Sequence, residues 1–214
     1  VFITTTGTVS TTGASSYAIY GCSYKGSVDI YFAKDLVGGI YAGSGHVKDS
    51  GGVSIKGGIQ PGGPYASITG NLYGINVSAE GAVVLNVPGD ITGYTGIKVE
   101  GGSSIDIDVG NVYADDTPGG NPFSGDAIHV SDFAYGEGTL GLIDINVTGN
   151  LKAVDDGIEV IARDGNDVNV TTATGKTIAH YLGGALDGDG INIFSNGGNI
   201  TVDSNAAIFA DPGI

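Results

Sequence analysis

Apolar and polar positions alternate along this chain in short runs. "AVVLNV" (82–87) places Val83, Leu85 and Val87 on one side of a strand. "SIDIDV" (104–109) does the same with Ile105, Ile107 and Val109, and "LIDINV" (142–147) with Ile143, Ile145 and Val147. A period of two predicts β-strands with one dry face and one wet face.

Three strand patterns recur in a fixed order. The first reads Gly-Ile-x-Val or close to it, at 17–21, 38–42, 73–77, 95–99, 126–130, 156–160 and 189–193. The second is the alternating type, at 27–32, 52–57, 82–87, 104–109, 142–147, 167–172 and 199–204. The third is short and often follows a glycine: "GGIQ", "GDIT", "GNVYA", "GNLKA", "GKTIA" and "AAIFA", starting at 57, 89, 110, 149, 175 and 206. The opening "VFITTTGTVS" reads as a second and third strand of an incomplete coil. The shortest turn of the repeat is about 22 residues, the step from Ile75 to Ile97. Longer turns carry insertions, at 60–72, 115–125 and 180–188 before a first strand and at 43–51 and 131–141 after one. Rungs that keep their pattern while loops vary are the mark of a wound solenoid. The expected fold is all-β: a right-handed parallel β-helix of three short strands per coil and about seven coils, forming a single domain over 1–214. Its hand follows from the chirality of β crossovers, and at ~4.8 Å per rung the rod is about 34 Å long.

Composition fits this picture. Of 214 residues 40 are Gly, Met is absent, and the hydrophobic share is an ordinary 41%. Lys and Arg number 8 against 23 Asp and Glu, giving a formal charge of −15. There is no basic face for nucleic acid and no apolar run near the ~20 residues of a membrane span. Cations, neutral glycans and basic surfaces are the easier partners. The missing initiator Met and signal peptide point to a mature or excised fragment. Cys22 stands alone in "YAIYGCS" and is expected to be a small buried hydrophobe.

The pattern GIxV…G(S/N)VxVxVxGxIxA, carried by residues 73–114, 141–162 and 188–210, resembles the passenger repeats of Gram-negative autotransporters and related two-partner-secreted surface proteins. The resemblance covers nearly the whole chain. It implies secretion across the outer membrane and extracellular display of a β-helical stalk for adhesion or aggregation. The family's C-terminal barrel is absent, as is a Gly-Asp-Ser-Gly-type protease motif.

Candidate chemistry lies in the carboxylates. Asp106 and Asp108 face outward and should stack on Asp144 and Asn146 of the next coil and on Val84 and Asn86 of the previous one. They read as a solvated strand face, or as a weak Ca²⁺ site. Asp126, Asp156 and Asp189 each stand two residues before a first-strand Ile, so they should line one edge of the rod, with Asp115, Asp116, Asp155 and Asp187 nearby. Three readings stay open: Asp-Gly turn chemistry, a Ca²⁺ site, or the paired carboxylates of a glycosidase. "GGALDGDGINIF" (183–194) partly resembles one RTX-type Ca²⁺ nonapeptide. Lys98, His129 and Glu159 form an outward charge ladder, read as surface pairing. His46 and His180 have no partner that spacing identifies. Polygalacturonases offer a weaker likeness: Asp155–Asp156 resembles their Asp pair, "SGHV" (44–47) falls short of their His motif, and their Arg-x-Lys is missing. No cofactor is required on this reading, and Ca²⁺ is the ion these carboxylates suggest.

The expected function is an adhesive or structural stalk. It would act through the insertions 60–72, 115–125, 131–141 and 180–188 and through outward Tyr20, Tyr41 and Tyr113, whose rings suit sugar faces. Its expected partners are a host or neighbouring-cell surface, a glycan, or like subunits. The alternatives are a polysaccharide-active enzyme using Asp155 and Asp156, and a self-assembling extracellular fibre protein.

Overall fold

The computed structural model describes residues 1–13, 16–45, 51–60, 63–114, 125–132, 141–163, 165–180 and 188–210. It is a right-handed parallel β-helix built from three sheets, with no helix among the described residues. Sheet I holds the first-type strands: Ile19–Ser23, Ile40–Ser44, Tyr73–Ala79, Thr95–Gly101, Ile128–Asp132, Ile158–Ala162 and Ile191–Ser195. Sheet II holds Phe2–Thr5, Val28–Phe32, Val53–Gly57, Val83–Val87, Ile105–Val109, Leu142–Val147, Asp167–Thr172 and Ile200–Ser204. Sheet III holds Val9–Ser10, Leu36–Val37, Ile68–Thr69, Ile91–Gly93, Val112–Ala114, Leu151–Ala153, Thr177–His180 and Ala207–Phe209. The opening ten residues supply one strand each to sheets II and III, and the chain then visits sheets I, II and III in turn.

Register makes the core. Down sheet II, Ile3, Ile30, Ile55, Leu85, Ile107, Ile145, Val170 and Val202 stack one per coil. Down sheet I, Ile19, Ile40, Ile75, Ile97, Ile128, Ile158 and Ile191 do the same. Most of these are fully buried, each adding roughly 1.5–3 kcal/mol relative to exposure. In the last described coil Ile200, Val202 and Ile208 point inward yet stay about half exposed, because no described rung covers them.

The Gly of Gly-Ile-x-Val has a packing reason. A Cβ on Gly74 would lie 2.5 Å from Ile91 Cγ2 and 2.6 Å from the Gly96 carbonyl, and one on Gly96 would meet Val112 Cγ1 and the Ala127 carbonyl. At this corner the chain enters sheet I directly against sheet III, so only a minimal side chain fits.

Two expectations need correction. "GGIQ" is not the third strand of its coil. Ile59 is exposed and forms an antiparallel bridge with Tyr65, while Ile68–Thr69 occupies sheet III between Leu36 and Ile91. The insertion therefore lies between second and third strands and does not occupy 60–72. Leu36–Val37 is a further sheet III strand that the glycine pattern does not mark. Cys22 is exposed, not buried. Ile19 and Gly21 take the inward positions of its strand, so alternation turns Tyr20 and Cys22 outward.

Candidate functional site

Turns between coils leave backbone N–H groups without a ladder partner, and short acidic or amide side chains fill the gap. Between sheets II and III, Asn150 N–H donates to Asn111 Oδ1 and Thr177 N–H to Asn150 Oδ1. At the entry to sheet I the same device uses aspartate. Asp156 N–H donates to Asp126 Oδ1 at 3.1 Å, and Asp189 N–H donates to Asp156 Oδ1 at 2.7 Å. Asp126, Asp156 and Asp189 thus line one edge, and each of the first two binds the backbone of the coil that follows. Asp126 and Asp156 are only 3% and 6% exposed.

The second carboxylate oxygen of each cap meets the outward face of sheet I. One column on that face runs Tyr20, Tyr41, Asn76, Lys98, His129, Glu159 and Asn192, one residue per coil and in register. Asp156 Oδ2 accepts from Asn192 Nδ2 at 3.1 Å. Asp126 Oδ2 lies 3.1 Å from His129 Nδ1, which also lies 2.6 Å from Glu159 Oε2. One Nδ1–H is therefore shared by two carboxylates. Donor atoms of Asp126, His129 and Glu159 all fall within 4.8 Å of one another, and among the described residues this is the one group of three that does so.

The ladder read as surface pairing is half-buried chemistry. Burial opposes charge on His129, but the hydrogen bonds and charges of Asp126 and Glu159 outweigh it and push its pKa up to about 9. The bond to His129 pulls Glu159 below the usual carboxylate range. Burial pushes Asp156 up to about 6 despite its two hydrogen bonds. Lys98 turns away from this group toward Glu100, at 2.9 Å, and lies over the Tyr73 ring.

These shifts set a pH dependence. A histidine raised from 6.5 to about 9 stabilises the fold fully below pH 6.5, and that contribution is lost as pH rises through about 9. Asp156, raised to about 6, likewise favours the fold at low pH and loses its contribution between about pH 4 and 6. Glu159 acts oppositely: its contribution holds above its usual value of 4.5 and fades at more acid pH. In chelator-treated protein, thermal stability should therefore fall between pH 6.5 and 9, by about 1–2 kcal/mol after solvent screening. His129→Gln should flatten that window. A flat wild-type profile would show that the imidazole is not held as drawn.

The other end of the column is aromatic. Tyr20 is 66% exposed and stacks on Tyr41 with ring centres 4.9 Å apart and planes 14° from parallel. Tyr17 tilts against both rings, and Asn76 Nδ2 donates to its hydroxyl at 3.2 Å. Burial raises the Tyr41 phenol and the neighbouring Cys22 thiol raises Tyr20, so both stay protonated donors at neutral pH.

The remaining candidates fall apart from these. Tyr113 sits on sheet III between Thr92 and Lys152. Asp106 stacks on Asp144 and Val84, and Asp108 on Asn146 and Asn86. Asn146 Nδ2 donates to Asp108 Oδ1 at 2.8 Å. Burial first, then Asp108 and Asp144, raise the Asp106 carboxyl. The structure gathers Asp126 with His129 and Glu159, and leaves Asp156 as a backbone cap on the Asp189 N–H. Asp155 N–H donates to the Gly125 carbonyl, and both oxygens of Asp156 are occupied. His46, Asp115, Asp116, Asp187 and most of the insertions 115–125, 131–141 and 180–188 lie outside the described residues. What spacing missed lies within the motif Asp-x-Ile-x, at 126–129, 156–159 and 189–192: Asp126 reaches His129 of its own coil, and Asp156 reaches Asn192 of the next. "YAIY" (17–20) places two tyrosines at the same positions.

The chain matches no protein-family model, and neither a curated protein nor a solved structure is significantly similar to it.

Proposed function

We propose that this chain is a recognition and spacer segment, a secreted or surface-displayed β-helical stalk that holds polymers or neighbouring cells. It works by many weak contacts along one rigid face. The observation that carries this reading is the Tyr17–Tyr20–Tyr41 cluster, with Tyr20 exposed and the other two rings half-buried, continued by Asn76 on a sheet whose rungs are fixed in register. Aromatic planes offer apolar area to the C–H face of a sugar, and phenols and amides bond its hydroxyls. A rigid frame removes the ordering cost that a flexible loop would carry. The acidic surface disfavours polyuronates and leaves neutral glycans as the better class. The likeness of the repeats to autotransporter passengers agrees with extracellular display.

The test is retention on a panel of insoluble neutral and acidic polysaccharides and on whole cells. Wild type should be retained by at least one neutral polymer. Tyr20→Ala and Tyr41→Ala should each weaken retention about tenfold, a loss of ~1.4 kcal/mol. Unchanged retention in both variants would remove the aromatic face from the account.

A further inference from the structure

Asp126, His129 and Glu159 converge at one point on sheet I, and the polymer contact proposed above does not use them. We infer that this trio binds a divalent transition-metal ion of the zinc class, with one coordination position open to solvent.

The donor set selects the ion. Calcium takes six to eight oxygens, whereas one imidazole nitrogen with two carboxylates suits Zn²⁺ and its neighbours. The geometry is close to a site already. Metal–ligand bonds of ~2.0–2.1 Å in a tetrahedron place ligand atoms roughly 3.3 Å apart. Asp126 Oδ2 lies 3.1 Å from His129 Nδ1. Glu159 Oε2, at 2.6 Å, must withdraw by about 0.7 Å to reach that spacing. Its side chain has three rotatable bonds and is 26% exposed, so the movement is easy.

The second coordination layer is built as well. Asp126 is buried, and its Oδ1 is held by the Asp156 N–H, which leaves Oδ2 directed at His129. Asp156 is held in turn by the Asp189 N–H. Outer hydrogen bonds of this kind orient ligands in known metal sites. Charge agrees too: the ion displaces the Nδ1 proton to solvent, and the neutral imidazole with two carboxylates then totals −2, which a divalent ion cancels. Lys98, the next cation in the column, is drawn to Glu100 and does not crowd the position. His129 is 19% exposed, so the open side of the site is a route for the ion and for a bound water.

The experiment is titration of chelator-treated protein with ZnCl₂ by calorimetry and with CoCl₂ by visible absorption, with circular dichroism to confirm folding. Wild type should bind one Zn²⁺ per chain, show a Co²⁺ band that Zn²⁺ abolishes, and ignore equimolar Ca²⁺. His129→Gln, Glu159→Gln and Asp126→Asn should each weaken Zn²⁺ by at least about tenfold. Asp126→Asn keeps an oxygen for the Asp156 N–H, and Glu159→Gln changes a partly exposed side chain, so these two carry the test if His129→Gln does not fold. A His46→Gln/His180→Gln double variant should bind as wild type does. No Co²⁺ band and no Zn²⁺ heat would overturn the site, as would binding that survives in the folded triad variants or is lost in the double variant.

Discussion

Ile107→Asp is expected to abolish folding, while the change next door, Asp106→Asn, is expected to be nearly silent. Ile107 is fully buried in the sheet II column between Leu85 and Ile145. Its replacement forfeits about 2–3 kcal/mol of burial and adds the cost of a carboxylate with no partner in an apolar stack. The sum exceeds about 4 kcal/mol, a large part of the 5–15 kcal/mol that holds a domain together. Asp106 faces outward against Asp144. Removing its charge relieves a like-charge contact worth about 0.2–1 kcal/mol. Expression yield and urea unfolding followed by circular dichroism would show the contrast. Comparable losses in the two variants would contradict the assigned register.

Gly96→Val should cost at least about 3 kcal/mol, with Gly96→Ala in between. A Cβ there overlaps Val112 Cγ1 and comes 2.6 Å from the Ala127 carbonyl, and backbone cannot yield as a side-chain tip can. Overpacking in a close-packed interior typically costs about 1–3 kcal/mol, and more when main chain must move. Alanine should be milder, since Ala18 and Ala127 stand before the same isoleucine column, at Ile19 and Ile128. Thermal unfolding of the three proteins would give the order Gly, Ala, Val. A stable valine variant would show that the corner between sheets III and I is looser than drawn.

Much of this architecture was legible in the sequence, because alternation and stacking are both local rules. Ile105, Ile107 and Val109 declare their strand by period, and like strands then fall on like strands. The Asp106–Asp144 and Tyr20–Tyr41 pairs follow from counting alone. The failures occurred where glycine misled. "GGIQ" carries the signature of a third strand, yet Ile59 leaves the stack to bridge Tyr65, and Ile68–Thr69 takes the rung. Cys22 looked buried from its apolar neighbours, although its own parity with Tyr20 already placed it outside. The site was half visible. Lys98, His129 and Glu159 were aligned by register, and Asp126, Asp156 and Asp189 by their distance from isoleucine. That the two columns meet was not visible, because it depends on the corner before sheet I. There the Asp126 carboxylate spans from the next coil's N–H to His129, a rotamer that no spacing rule contains.

The most direct test of the central claim is a combined retention and chain-end assay. Purified protein is incubated with neutral and acidic polysaccharides, bound protein is measured, and newly formed chain ends are counted. A recognition stalk should be retained, through Tyr20 and Tyr41, and should release no new ends. New chain ends that vanish in Asp155→Asn or Asp156→Asn would contradict the account and make the chain a polysaccharide-cleaving enzyme.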